Sequence, residues 1–281
     1  MRLRILTFNA AIQDLRLFGR SLYCPLPWTG HRLRQLVPEL AHCAADVVCL
    51  QELFHHRFQR QLCADLRQVY PHAAGRIRRG PGLRLGNELL VLSRYPLSNL
   101  RLERFRAASP EELRFTSRGF ISLDVDLPVL GRVRVFNLHA SAGGRNDHPE
   151  SPVMERLRAR QVAQLLAAAE QHPAAIIAGD LNAGPHSSAA NYEQLLAAGF
   201  ADAWVGDGDA VSWDPGNPLV AAGKEAHLPR QRIDHVFLSP WLARRLRPAT
   251  AAIVLHTHCT DTGRGRVPLS DHYGVEVTLE S

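Results

Sequence analysis

Along the chain, hydrophobic residues form short runs that are rich in β-branched residues and bounded by Gly, Pro, Asp or Asn. Runs of this kind are typical of strands. The predicted strands are Leu3 to Asn9, Asp46 to Gln51, Glu88 to Ser93, Gly119 to Asp126, Arg132 to His139, Ala174 to Asp180, Arg232 to Ser239, Ala251 to His256 and Tyr273 to Leu279. The segment Leu127 to Gly131 predicts a hairpin, so the two strands that it joins are expected to be antiparallel.

Apolar residues recur at helical spacing in four longer segments, Arg32 to Ala45, Phe58 to Val69, Val153 to Gln171 and Tyr192 to Ala198. Many strands with few helices between them favour a four-layered α/β sandwich, in which two mostly antiparallel sheets pack face to face with helices outside. The chain contains no internal repeat, low-complexity tract or linker. Residues 1–281 are therefore expected to form a single domain.

The composition bears on the kind of partner that the protein binds. The chain has 281 residues, of which 46% are hydrophobic and 21% charged, and its formal net charge is +6. All but one of its 33 basic residues are arginines, the exception being Lys224. An arginine excess suits a phosphate-bearing partner, but it also follows from GC-rich codon usage, which would leave most arginines on a solvated surface.

Targeting and redox signals are few. The first residues pass directly into a strand pattern without the apolar stretch of a signal peptide, and no run is long enough to span a membrane. We therefore expect a cytoplasmic protein, although a secreted mature form would look the same. The five cysteines form no CxxC pair, so a disulfide framework is not expected.

Polar residues of unusual type stand at the ends of the apolar strands. They are Asn9, Gln51 and Glu52, Asn137 and His139, Asp180 and Asn182, Asp234, and Ser270 with Asp271 and His272. Each alone is typical of a turn or a helix cap. If all of them meet at one rim of two packed sheets, their carboxylate and amide oxygens suit Mg²⁺, with Mn²⁺ as a substitute. A histidine held by a carboxylate suits a general base, so the set predicts metal-assisted hydrolysis of a phosphate ester.

The same ordered set resembles the endonuclease/exonuclease/phosphatase superfamily. The resemblance spans Asn9 to His272, and it rests on Phe8-Asn9, Gln51-Glu52, Asn137-Leu138-His139, Gly179-Asp180-Leu181-Asn182, Ile233-Asp234 and Ser270-Asp271-His272. Each motif alone is weak, whereas their common order is specific. The resemblance implies a metal-dependent phosphoric ester hydrolase with the four-layered fold.

The resemblance also implies a role for each matching residue. Glu52 with Asn9 matches the metal-holding position, and Asp271 a carboxylate near the metal. Asp180 and Asn182 match the pair that orients the attacking water and contacts the phosphate. His272 matches the catalytic histidine, Asp234 the carboxylate that fixes its tautomer, and His139 a second histidine that steadies the phosphate. The sequence departs from several members at Ala11, where they carry an acidic or aromatic residue.

Finer features resemble the neutral sphingomyelinase branch of the superfamily. The segment Ser212-Trp213-Asp214-Pro215-Gly216-Asn217-Pro218-Leu219 is similar to an element of that branch, as is the stretch from Thr262 to His272. Trp213 is therefore a candidate substrate contact, or alternatively an aromatic plug under a loop. Some DNA-repair phosphodiesterases carry a comparable element, so a phospholipid headgroup and a nucleic acid both stay open as substrates.

Other segments bear on this choice of substrate. The apolar residues between Leu15 and Trp28 are either a membrane-contacting lip or a loop folded on the core. Some arginines of the densest basic region are expected to line the cleft and hold phosphate at its rim. This region contains Arg76, Arg78, Arg79, Arg84, Arg101, Arg104, Arg106, Arg114 and Arg118. The sequence alternatives are therefore a sphingomyelinase-like enzyme, a nuclease, or an inactive binding protein that retains the fold, in each case expected to be a monomer.

Overall fold

Two six-stranded sheets pack face to face in the computed structural model, which describes residues 1–17, 20–75, 88–109, 112, 118–143, 150–221, 223, 225–256, 258–259 and 265–281. Within these residues, the strands are β1 (Arg2–Ile12), β2 (Leu15–Leu17), β3 (Arg20–Tyr23), β4 (Val47–Leu53), β5 (His72–Ala74), β6 (Leu90–Ser93), β7 (Leu97–Arg104), β8 (Gly119–Leu127), β9 (Gly131–His139), β10 (Ala175–Asp180), β11 (Ala201–Asp202), β12 (Asp234–Leu238), β13 (Arg247–Val254), β14 (His258–Cys259), β15 (Val267–Pro268) and β16 (Gly274–Glu280). The helices are α1 (Thr29–Cys43), α2 (His56–Asp65), α3 (Pro152–Ala169), α4 (Ala189–Ala197) and α5 (Pro240–Ala243).

Each large sheet contains one parallel pair among antiparallel ones. The first sheet has the strand order β13-β16-β1-β4-β6-β5, with β1 and β4 parallel. The second has the order β11-β12-β10-β9-β8-β7, with β9 and β10 parallel. The remaining neighbours are antiparallel, including β8 and β9, whose register closes at Leu127 opposite Gly131. The predicted hairpin and the mostly antiparallel character of both sheets are confirmed.

The core has three layers because each of the two six-stranded sheets packs on both of its faces. Alternating residues such as Ile5, Val47, Val135 and Val277 form the layer between the sheets. The outer face of the first sheet packs against α1 and α2, and that of the second sheet packs against α3 and α4. This arrangement confirms the four-layered α/β sandwich.

The sequence pattern missed the elements that are short or exposed. Strand β7 lies at an edge of the second sheet, and its residues LSNLRLER are mostly half-buried or exposed. An edge strand buries little apolar surface, so charged residues replace the alternation that marks a strand. The predicted Arg232 start of β12 moves to Asp234, which pairs with Asp180.

Several sequence predictions concern residues that the structure does not describe. Arg76, Arg78, Arg79, Arg84 and Arg114 lie outside the described residues, as do Phe18 and the segment Thr262 to Arg264. Of the expected membrane lip, the structure gives the backbone of an antiparallel hairpin formed by β2 and β3. No helix of the described part of the chain is long and apolar enough to cross a bilayer. Cys24, Cys43, Cys49 and Cys63 are free thiols.

Candidate functional site

A buried histidine and two aspartates meet where strands of the second sheet end. The Nδ1 atom of His272 lies 2.9 Å from Oδ2 of Asp234, and its Nε2 atom lies 3.8 Å from Oδ2 of Asp180. All three residues are buried. Burial lowers the pKa of His272, but the charge and hydrogen bond of Asp234, together with the charges of Asp180 and Asp271, outweigh this effect and raise the pKa well above its ordinary value.

Backbone geometry brings these three side chains together. Asp180 ends β10 and pairs with Asp234, which begins the antiparallel strand β12. Gly179 precedes Asp180 with φ +146°, and a Cβ atom there would lie 2.1 Å from the Leu138 carbonyl oxygen of β9. Glycine is therefore required for β9 and β10 to approach closely enough to place Asp180 beside His139.

Short polar side chains fix the backbone around His272 and Asp234. The Ser270 hydroxyl donates to the Asn9 carbonyl at 2.6 Å and accepts from the His272 amide at 3.2 Å. The Ser212 hydroxyl accepts from the Asp234 amide at 3.1 Å. The C-terminal Ser-Asp-His segment is therefore tied to the end of β1 by a side-chain hydrogen bond.

Asn9 and Asn182 both contact Asp180. The Asn9 amide nitrogen donates to Asp180 Oδ2 at 3.0 Å, and the backbone amide of Asn182 donates to Asp180 Oδ1 at 2.8 Å. Asn182 has φ +50°, a conformation that asparagine tolerates better than most residues, and its side chain donates to the Ala140 carbonyl at 3.1 Å. These bonds fix the orientation of both Asp180 carboxylate oxygens.

His139 stands between two buried carboxylates. Its Nδ1 atom lies 2.8 Å from Glu88 Oε1, and its Nε2 atom lies 3.3 Å from Asp180 Oδ2. Burial and the nearby Arg118 charge lower the pKa of His139, but Glu88 and Asp180 outweigh them and raise it to about 9. His139 is therefore a cation at neutral pH, and it stabilises the negative charge of its neighbours.

Glu52 occupies the end of β4 at the same rim. Its Oε1 atom lies 3.6 Å from His139 Nε2 and 3.5 Å from Arg118 Nη2, and its Oε2 atom accepts a hydrogen bond from the Gln13 amide. Burial raises the pKa of the Glu52 carboxyl, against the charges of His139 and Arg118. Its backbone has φ +59°, a strained conformation for a glutamate and one that is found preferentially at functional sites.

Arg118 connects three glutamates. Its guanidinium lies 2.9 Å from Glu88, 3.5 Å from Glu52 and 3.7 Å from Glu112, and it contacts the His139 ring. These carboxylates outweigh the cost of burying the charge and raise the pKa of Arg118. From its place in the sequence, Arg118 was one of the arginines expected to hold phosphate at the rim of the cleft. The structure places it within the acidic cluster itself.

Sequence reasoning missed Glu88 and the position of Arg118 because it considered only strand ends. In an antiparallel pair, one strand begins at the sheet edge where its neighbour ends. A residue directly before one strand therefore lies beside the last residues of the other. Glu88 precedes β6, and its carbonyl accepts from the Leu53 amide at the end of β4. Arg118 precedes β8, whose Gly119 pairs with His139. A charged residue directly before an apolar strand was the available signal.

Two further predicted residues lie beside the cluster. Asp271 is half-buried, and its Oδ1 atom lies 3.1 Å from the Ser270 hydroxyl oxygen. Trp213 is 5% exposed and packs in a small cluster with Val220, Leu228 and Ile233. The Trp213 backbone pairs with His272, so this tryptophan supports the backbone beside the histidine, and its direct contact with a substrate stays a prediction.

The grouping of potential metal ligands differs from the predicted metal set. Among the described residues, the cluster of His, Asp or Glu ligand atoms that all lie within 4.8 Å of one another is formed by Asp180, Asp234 and His272. The predicted set of Glu52, Asn9 and Asp271 adjoins this cluster through the Asn9 contact to Asp180. The sequence-based assignment of ligands stays a prediction.

Comparisons with known proteins identify the family and the fold. The profile of the Endonuclease/Exonuclease/phosphatase family matches residues 6–272. Sphingomyelinase C from Streptomyces griseocarneus is similar in structure, with a TM-score of 0.76, 24% identity and 99% of both chains covered. Beta toxin from Staphylococcus aureus with bound magnesium ions has a TM-score of 0.78 at 15% identity, covering 99% of both chains.

A DNA-bound structure has the same fold. D. rerio TDP2 complexed with a single-strand DNA product has a TM-score of 0.68 and 20% identity, covering 100% of this chain and 99% of its own. Curated protein sequences give no significant match. The structural likenesses show the common fold.

Proposed function

Because the chain belongs to the endonuclease/exonuclease/phosphatase family, and is thus a phosphoric ester hydrolase, we propose that it hydrolyses a phospholipid headgroup in the manner of a neutral sphingomyelinase. The observation that carries the chemistry is the buried pair of His272 and Asp234, with the second ring nitrogen of His272 directed to Asp180. A histidine that is oriented by one carboxylate and exposes its other nitrogen to the reaction centre is suited to general base catalysis.

His272 and Asp180 divide the work on the attacking water. Because the carboxylates around His272 raise its pKa, the neutral ring that can act as a base forms as the pH rises. In that neutral ring Asp234 accepts the hydrogen bond from Nδ1–H, which leaves Nε2 to accept the proton of a water molecule. The Asp180 carboxylate lies next to Nε2 and orients that water toward phosphorus. Asn182, fixed by its bonds to Asp180 and Ala140, contacts a phosphate oxygen in this proposal.

His139 suits a phosphate whose negative charge grows during attack. It is a buried cation between Glu88 and Asp180, and it requires no reorganisation when charge develops nearby. A fixed positive charge in a site that excludes water contributes more to transition-state stabilisation than the same charge in solvent.

The donor set of the site fits a divalent cation. Carboxylates outnumber cationic groups in the contact network, which consists of Glu52, Glu88, Glu112, Asp180 and Asp234 with Arg118, His139 and His272. Glu88 Oε1 faces His139 and Arg118, whereas its buried Oε2 atom has no hydrogen-bond partner among the described residues. Oxygen-rich, cysteine-free sites of this kind suit Mg²⁺. We propose that Glu52 and Asn9, with Asp271 nearby, hold Mg²⁺, which supplies Lewis-acid stabilisation of the phosphate when bound.

A lipid headgroup is favoured over a nucleic acid by two features. The segment from Ser212 to Leu219 resembles the sphingomyelinase branch in sequence. It lies against the segment Ser270 to His272, because the Asn217 side chain donates to the Ser270 carbonyl at 2.9 Å. Moreover, the structural likeness to sphingomyelinase C has a TM-score of 0.76, against 0.68 for TDP2.

The test is a parallel assay of the full chain on vesicles that contain sphingomyelin or phosphatidylcholine and on plasmid and single-stranded DNA, with Mg²⁺, Mn²⁺ or EDTA. We expect release of phosphocholine that requires the metal. Cleavage of DNA without lipid hydrolysis would instead support the nuclease alternative, and absence of both activities together with no Mg²⁺ binding by calorimetry would support an inactive binding protein.

Matched variants test the assignment of the base. We expect His272→Ala to lower kcat by about 100- to 10,000-fold. Asp234→Asn keeps the side-chain shape but loses a charge-assisted hydrogen bond of about 1.5–3 kcal/mol, so we expect kcat to fall by about 10- to 150-fold. His31→Ala, at an exposed position of α1, is the control. Near wild-type turnover by the His272 variant would exclude this residue as the base.

A further inference from the structure

A basic cavity of about 710 Å³ lies on the outer side of the second sheet, between β7–β9 and α3. It is separate from the catalytic site because successive residues of a strand point to opposite faces. In β9, Val133 and Val135 face the layer between the sheets, and His139 follows on that same face. Arg134 and Phe136 face outward and line the cavity. The thickness of the sheet therefore divides the two sites.

The cavity exists because α3 presents small side chains to the sheet. Ala163, Ala167 and Ala168 line it where larger residues would close the gap. The Gln164 side chain fixes the helix at this distance, because it donates to the Arg104 carbonyl at 2.8 Å and accepts from the Arg106 amide at 2.9 Å. The cavity is thus a built feature with a defined width.

Arginines dominate the charge of the lining. Arg101, Arg106 and Arg160 are exposed at the mouth, and none of them forms an ion pair within the part of the chain that the structure describes. Glu103 is the one acidic residue among the lining residues. Arginines that are held near one another without acidic partners attract anions, and each offers paired donors to a phosphate.

The floor of the cavity carries an unpartnered buried donor. The two terminal nitrogens of Arg134 donate to the Asn99 carbonyl, Asp124 and Ser122, at distances of 2.8–3.0 Å. Its Nε atom has no partner in the described structure, although the residue is only 3% exposed. A buried N–H group without an acceptor destabilises the fold, so an acceptor delivered by a ligand would be favourable here.

Aromatic and apolar surface lies beside the arginines. The rings of His172 and Phe136 are 6.0 Å apart between centroids, and the α3 alanines complete an apolar wall. Burial, together with the charges of Arg134 and Arg101, lowers the pKa of His172 from its ordinary value. The neutral ring therefore offers a surface for stacking within a region of positive potential.

We propose that this cavity, defined by Arg101, Arg106, Arg134, Arg160, Phe136 and His172, is a second, non-catalytic site that binds an organic phosphate. The ligand chemistry is a phosphate monoester with a compact apolar or aromatic body. Arginines at the mouth hold the phosphate, and the apolar wall contacts the body. The proposal is independent of which substrate the catalytic site accepts.

The test is calorimetric titration of the full chain with adenosine 5′-monophosphate, inorganic phosphate and adenosine. We expect the nucleotide to bind most tightly, phosphate more weakly, and adenosine at least about tenfold more weakly than the nucleotide, because the charge-assisted hydrogen bonds are lost. Flotation with phosphatidylcholine vesicles that contain phosphatidic acid identifies a lipid source of the same group, if the nucleotide displaces the protein from them.

A pair of matched double variants locates the binding. Arg101→Gln with Arg160→Gln removes two charges from the mouth, and we expect affinity for the nucleotide to fall about tenfold or more. Arg104→Gln with Arg156→Gln removes two charges from the same strand and helix, outside the lining, and we expect a change below about twofold. Thermal unfolding of both variants checks their folds.

Two results would overturn the proposal. One is the absence of saturable binding of the nucleotide and of phosphate by the wild-type chain. The other is an equal loss of affinity in the two double variants, which would mean that net charge, and not this cavity, attracts the anion.

Discussion

Arg32 tests how the fold supports the catalytic edge, by which we mean the strand ends that carry Asn9, Asp180, Asp234 and His272. It projects from α1 and is fully buried. Its guanidinium donates to the carbonyl oxygens of Ala11 at 2.7 Å, Leu269 at 2.9 Å and Ala10 at 3.2 Å, and its Nε atom donates to that of Pro27 at 3.1 Å. Ala10 and Ala11 directly follow Asn9, and Leu269 precedes the segment that carries His272.

Replacing Arg32 with Met keeps the apolar stem and removes the donors. Ala10, Ala11 and Leu269 are buried, so water does not replace the lost bonds at their carbonyls, whereas Pro27 is exposed. At about 1–3 kcal/mol for each buried acceptor that is left unsatisfied, with some relaxation, the free energy of unfolding should fall by about 3–6 kcal/mol. That loss is a large fraction of the roughly 5–15 kcal/mol that stabilises a typical domain.

Urea unfolding followed by circular dichroism measures this loss. Arg34→Met is the matched control, because Arg34 is an exposed arginine of the same helix, and we expect it to change the free energy of unfolding by less than about 0.5 kcal/mol. Arg32→Lys carries the test if the Met variant does not fold. A single ammonium cannot reach all of the carbonyls at once, so we expect the Lys variant to lose about 1–3 kcal/mol.

Activity provides the second readout. The turnover of folded Arg32→Lys should fall, because Asn9 and the His272 segment lose their common anchor, while Arg34→Met keeps wild-type turnover. The reasoning is refuted if Arg32→Met unfolds within about 1 kcal/mol of the wild type, a difference that ordinary substitutions produce.

The remaining predictions concern groups away from the catalytic edge. Although burial opposes it, His235 and Arg232 hold the pKa of Asp202 well below its ordinary value, so this carboxylate stabilises the fold above pH of about 4 and loses that effect as the pH falls. The difference in free energy of unfolding between wild type and Asp202→Asn should thus be about 1–3 kcal/mol at neutral pH and shrink in acid; a pH-independent difference contradicts this assignment. Burial raises the pKa of the Cys49 thiol to about 12, whereas Cys24 is exposed, so iodoacetamide should alkylate Cys24 in the native chain and Cys49 only after denaturation, as read by mass spectrometry. Labelling of native Cys49 at the rate of Cys24 would show that this part of the core opens readily.

Several of the arginines are buried, which the composition did not indicate. Arg32, Arg134 and Arg158 are all buried, where a solvated surface was the general expectation. Arg158 donates to the carbonyls of Ser141 and Ala142, which follow His139 in the chain, and burial lowers its pKa to about 10. The multiple donors of each guanidinium satisfy backbone carbonyls at breaks in strand register, as at Ala10 and Ala11 of β1 and Asn99 of β7, or in the loop after β9. This is why arginines can occupy these buried positions.

The sequence alone determined the local structure and the types of residue at the strand ends. Alternation and apolar runs located the long strands, such as β1 and β9, because a strand buried on one or both faces must carry apolar side chains at fixed intervals. The order of motifs from Asn9 to His272 indicated the family, since side chains that perform one reaction are placed by one topology. The structure brings Asp180, Asp234 and His272 together, and their roles stay predictions.

Only the tertiary structure decided which groups surround those residues. Glu88 and Arg118 precede their strands, and only antiparallel pairing carries them to the edge where β4 and β9 end. The basic cavity likewise depends on the distance between α3 and the second sheet, which a side chain as remote in sequence as Gln164 fixes through Arg104 and Arg106. Local periodicity reports which face of an element is buried, but it carries no information about the partner that buries it, so these contacts appear only when the layers pack.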